Sequence, residues 1–136
     1  MDAKIKTTTE PLVSIVDDDV SVRRSTRRLL RSCGLRAEVF SSAQDFLQSG
    51  LAAETTCLLL DVRMPGMDGL ELQRRLSKTH QLIPIIFLSA RASEEEEHRA
   101  LRAGAANFLR KPVSKEALLR AISAELEIPV NYQCKD

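Results

Sequence analysis

Residues 57–69 read CLLLDVRMPGMDG, and this stretch decides the fold. Cys57, Leu58, Leu59 and Leu60 are apolar on consecutive positions, as a strand covered on both faces requires. The run ends in Asp61, and an acid closing an apolar central strand needs a partner. Pro65, Gly66 and Gly69 then turn the chain, before Leu70, Leu72 and Leu76 set a helical period. The same order, apolar run then polar residue then helix, recurs outward in both directions. The run at 12–16 leads into Asp17, Asp18 and Asp19, the run at 83–88 into Ser89, and the run at 107–109 approaches Lys111.

A short strand at 37–40 completes five strands, and five helical patterns alternate with them. The first helix carries Val20, Leu29, Leu30 and Cys33 on a basic background and stops at Gly34. Ser41 with Gln44 has capping-box spacing for a short second helix that closes near Gly50. Ser93 with Glu96 has the same spacing for the fourth, which Gly104 ends, and Ser114 caps a fifth running to about residue 125. Alternation of this kind predicts an α/β, doubly wound (βα)5 sandwich of three layers. Right-handed crossovers favour the flavodoxin-like strand order 2-1-3-4-5, an order already known for such folds. That order sets the first and third strands side by side and gathers Asp17, Asp18 and Asp61 at the switch point.

Size and composition narrow the classes. At 136 residues there is room for one domain with short tails, and a domain of that size buries roughly two-thirds of its unfolded surface. Aromatics are only 4%, so the core is built from Leu, Ile, Val and Ala. Twenty basic and nineteen acidic residues leave a net charge of +1, and no bulk field selects nucleic acid or membrane. Cys33, Cys57 and Cys134 are odd in number and lack C-x-x-C spacing, which argues against a disulfide framework or a zinc site. No apolar stretch is long enough to span a bilayer and no secretory pattern opens the chain, so a cytoplasmic location is expected.

Three clustered carboxylates repel one another, and a hard divalent ion removes the conflict; Mg²⁺, with Mn²⁺ as a substitute, suits an oxygen-only site. Asp61 is the best placed nucleophile, because a carboxylate can attack phosphorus and form an acyl phosphate. Lys111 offers fixed positive charge to phosphoryl oxygens and Ser89 a neutral donor. Pro112 restricts the backbone after Lys111 and is compatible with a cis bond there. Asp19 reads as a helix cap, and Glu94, Glu95, Glu96 and Glu97 as first-turn acids that complement a helix dipole. Arg23, Arg24, Arg27, Arg28 and Arg31 form a basic face that no aromatic interleaves, so solvation explains it better than nucleic acid.

The assembled set resembles the receiver domain of two-component response regulators over residues 11–126. IVDDD places Asp17 and Asp18 on the family's metal-binding acids, and LLLDVRMPGMDG places Asp61 on its phosphoacceptor. Ser89 in FLSA falls on the hydroxyl position, Lys111 in FLRKP on the lysine, and Phe108 on the switch aromatic. The Asp61 segment is similar to the FixJ-like branch, which usually carries a LuxR-type helix-turn-helix. The resemblance implies phosphorylation by a sensor histidine kinase and a metal ligand from the Arg63 backbone carbonyl. It also implies phosphoryl lifetime set at Arg63 and Arg91, and homodimerisation through the last two helices and the strand between them. Phe108 stands where Tyr is commoner, and Val113 where Phe is frequent. Residues 1–10 are then a disordered leader, and 127–136 a tail or the start of a linker to an effector domain outside the chain. No direct nucleic-acid or membrane contact is expected of this segment. A haloacid-dehalogenase-like phosphatase is the rival, since Asp17, Asp19 and Ser21 nearly meet its first motif; its further acidic pair beyond the lysine is missing.

Overall fold

The computed structural model describes residues 10–127. Five strands, β1 (Leu12–Val16), β2 (Arg36–Phe40), β3 (Cys57–Leu60), β4 (Ile85–Ser89) and β5 (Asn107–Arg110), alternate with five helices. These are α1 (Val20–Ser32), α2 (Ala43–Gln48), α3 (Gly69–Lys78), α4 (Glu94–Arg102) and α5 (Lys115–Leu126). All strand pairs are parallel and the order is β2-β1-β3-β4-β5, as the alternation predicted. The expected leader and tail lie outside the described residues, apart from Glu10 and Glu127.

Successive residues of β3 serve opposite faces. Cys57 and Leu59 join a cluster with Leu30 of α1 and Ile122 of α5. Leu58 and Leu60 join a second cluster with Phe46 of α2, Leu72 of α3 and Ala100 of α4. Ile86 and Leu88 of β4 go with the first, Ile85 and Phe87 with the second. This period-two division explains why the central runs are apolar throughout.

Each helix starts where a side-chain oxygen receives an orphan backbone N–H. Asp19, Ser42, Asp68, Ser93 and Ser114 do so for α1 to α5 in turn, each worth about 1 kcal/mol. The reciprocal box at Ser93 and Glu96 forms as expected. At α2 the cap is Ser42, one residue later than the spacing suggested, while Ser41 Oγ donates to the Asp45 carboxylate. A 3₁₀ turn at Ala52–Glu54, with no clear sequence signature, leads into β3. The Cys57 thiol is buried and pushed up to about 12 by that burial.

Candidate functional site

Main-chain bonds at the strand ends assemble the site before any side chain is considered. The Asp61 N–H donates to the Val16 carbonyl at 3.1 Å, which sets the end of β3 beside the end of β1. The Asp17 N–H donates to the Phe40 carbonyl at 3.2 Å, and the Lys111 N–H to the Ser89 carbonyl at 3.0 Å. Arg23 reaches back from α1 and donates through Nη1 to the Asp17 carbonyl at 2.8 Å. The sequence pattern alone puts Arg23 on a solvated face; its position one turn into α1 is the signal that brings it to the site.

Asp17, Asp18 and Asp61 each offer a carboxylate oxygen, and these oxygens lie within 4.8 Å of one another. Asp17 and Asp61 are buried and Asp18 is exposed. Lys111 Nζ sits 2.8 Å from Asp17 Oδ2 and 3.5 Å from Asp61 Oδ2, and so bridges the two buried acids. Burial alone would lower the Lys111 pKa, but the Asp17 hydrogen bond and the Asp17 and Asp61 charges outweigh it and raise it. For Asp61, burial and then the Asp17 charge push the carboxyl above its ordinary range, with Lys111 opposing them. An oxygen-only cluster with one buried member held above its usual pKa fits a hard divalent cation.

Ser89 ends β4 with no exposed surface, and its Oγ has no hydrogen-bond partner among the described residues. Such a group is uncommon in a folded interior and suits a ligand oxygen. Phe108 is buried, stacked on Phe87 with centroids 5.6 Å apart, and the Arg110 guanidinium lies 5.5 Å over its ring. Asp19 accepts from both the N–H and the hydroxyl of Ser21, which lowers its pKa and confirms the capping reading. The peptide before Pro112 is cis.

The remaining expected residues lie at the rim. The Arg63 N–H is 3.4 Å from Asp61 Oδ1, yet its guanidinium is turned to Glu96 of α4 at 2.8 Å. Arg91 is exposed on the loop after β4. Arg110, which sequence reading did not single out, donates to the Ala92 carbonyl and to Glu97, both at 2.7 Å. Gly69, at the start of α3, runs so close to the Asp61 carbonyl that a Cβ there would collide with it.

Comparison with known proteins agrees with this fold. Residues 13–123 match the family described as the response regulator receiver domain. Nodulation protein W of Bradyrhizobium diazoefficiens is 43% identical over 119 residues, 88% of this chain and 52% of that protein. Transcriptional regulatory protein FixJ of Azorhizobium caulinodans is 37% identical over 114 residues, 84% of this chain and 54% of that protein. A structure of the response regulator StyR superimposes with a TM-score of 0.81 at 46% identity, covering 87% of this chain and 60% of that one. The chain thus spans about half the length of the curated relatives it matches.

Proposed function

The chain belongs to the response regulator receiver domain family, and from that premise we propose that it is a phosphorylation-controlled switch acting in the cytoplasm. The observation that carries this reading is the convergence of Asp61 with Asp17, Asp18 and Lys111 at one end of the sheet, beside an unpartnered Ser89 hydroxyl. In the forward step an Asp61 carboxylate oxygen attacks the phosphorus of a kinase phosphohistidine. The P–N bond breaks, the imidazole leaves, and an acyl phosphate forms on Asp61. Asp17, Asp18, Asp61 and the Arg63 carbonyl would hold Mg²⁺ or Mn²⁺. A divalent ion there supplies charge neutralisation for the transferring phosphoryl group.

Lys111 moves from bridging two carboxylates to holding a phosphoryl oxygen, and Ser89 donates its hydroxyl to another. Ser89 and Phe108, with the α4-β5-α5 surface, form the two-state element. Going from a 1:99 to a 99:1 population requires the phosphoryl contacts to favour one state by about 5.5 kcal/mol. The altered surface pairs with a second copy and carries a transcriptional output. Water attack on phosphorus returns the Asp61 carboxylate and inorganic phosphate, so the chain assists its own phosphorylation from the donor and its own dephosphorylation.

Mass spectrometry after acetyl phosphate treatment with Mg²⁺ tests the reading. One added phosphoryl group should map to Asp61 and be absent from Asp61→Asn and from chelator-treated protein. Labelling of Asp61→Asn at the rate of the unaltered chain would overturn it.

A further inference from the structure

Glu96 carries two loads on one oxygen. Its Oε1 accepts the Ser93 N–H at 2.9 Å, closing the capping box of α4. The same Oε1 takes the Arg63 guanidinium at 2.8 Å. Arg63 is two residues past Asp61, with its N–H directed at the Asp61 carboxylate. The arginine nearest in sequence to the reacting carboxylate is thus tied to the first turn of a different element. Glu96 keeps its charge through the neutral range, since the Ser93 N–H and then the Arg63 contact hold its carboxyl below the usual value. The neighbouring Glu97 is held separately by Arg110, so α4 has a second tether that does not involve Arg63.

We propose that Glu96 is a positioning residue for the chemistry at Asp61: it competes with the phosphoryl group for the Arg63 guanidinium and so shortens the life of the acyl phosphate. The inference rests on the phosphoacceptor reading above and deepens it. An acyl phosphate on Asp61 adds negative charge to the site and draws a mobile guanidinium toward its oxygens. There the guanidinium obstructs the water whose attack breaks the bond between phosphorus and the Asp61 oxygen and releases inorganic phosphate. While Glu96 holds Arg63, that path stays open. Each move of Arg63 to the phosphoryl group also frees the outer contact on the first turn of α4. Lifetime and α4 position are therefore read from one side chain.

The capping box accepts Gln as well as Glu, so Glu96→Gln removes the charge and keeps the cap. The measurement is the half-life of the acyl phosphate in the full chain, labelled with acetyl phosphate and Mg²⁺ and then freed of both reagents' excess. Four proteins are compared: unaltered, Glu96→Gln, Arg63→Ala, and the double variant. Glu96→Gln should lengthen the half-life about two- to five-fold, the range that freeing an exposed ion pair allows. Arg63→Ala should shorten it, and adding Glu96→Gln to Arg63→Ala should change nothing further. Far-UV circular dichroism should show the helix content of Glu96→Gln unaltered. An unchanged half-life in Glu96→Gln, or the same lengthening with and without Arg63, overturns the inference while leaving Asp61 as phosphoacceptor. Absence of label on the unaltered chain overturns the underlying reading and this one with it.

Discussion

At Asp61, burial and the Asp17 charge raise the carboxyl pKa above its unfolded value. An acid raised on folding binds more protons in the native state, so its contribution falls as pH rises from the unfolded to the folded pKa. Without metal, Asp61→Asn should therefore melt higher than the unaltered chain at neutral pH. The gain should shrink once both states of Asp61 are protonated in acid. Each kcal/mol recovered should shift Tm by about 2–4 °C, read by thermal denaturation in EDTA across pH. Lys111 loses its weaker carboxylate contact but keeps the 2.8 Å bond to Asp17, which limits the offsetting cost. Ser89 is the complementary case. Its buried hydroxyl has no partner to lose among the described residues, so Ser89→Ala should leave Tm unchanged or raised. The same variant should lose the phosphorylation-dependent change at α4, seen as unchanged amide exchange there after labelling.

At the scale of elements, the turn from β3 into α3 is set by contact rather than by composition. A Cβ at Gly69 would fall on the Asp61 carbonyl and approach the Phe87 ring at 3.1 Å, and the carbonyl is backbone that cannot swing aside as a flexible side chain would. Gly69→Ala should destabilise by about 1–3 kcal/mol, measured as a lowered urea midpoint, and should slow labelling. Strand and helix order were legible because β3 is an unbroken apolar run, β1 is broken only by Ser14, and each helix starts at a capping residue. The offsets have local causes. Ile83 continues the apolar run and a proline is tolerated near a strand start, yet β4 begins at Ile85, where pairing with Leu58 begins. Both Ser41 and Ser42 are capping residue types, and only backbone geometry decides between them. Of the site, the carboxylates, Ser89 and Lys111 were legible because each ends an apolar run. The Arg63 to Glu96 contact spans 33 positions and the Lys111 to Asp17 bond spans 94, and no periodicity reports either.

For the whole molecule, a cation bound by the native state alone shifts unfolding by mass action. At a hundredfold excess over its Kd, Mg²⁺ should add about 2.7 kcal/mol and EDTA should reverse it. The Tm rise should be lost in Asp17→Asn, and an equal rise in that variant would remove Asp17 from the metal site. Among the described residues no helix is long and apolar enough to cross a membrane.

The alternation of β3 between two cores has a further consequence. Asp61 directly follows Leu60, so the direction of its carboxylate is in phase with the leucines before it. A slip of one residue would exchange the contents of the two cores as well as re-aim the acid. Such a slip would disrupt both cores together with the carboxylate, so the aim of the acid is tied to the packing of the domain.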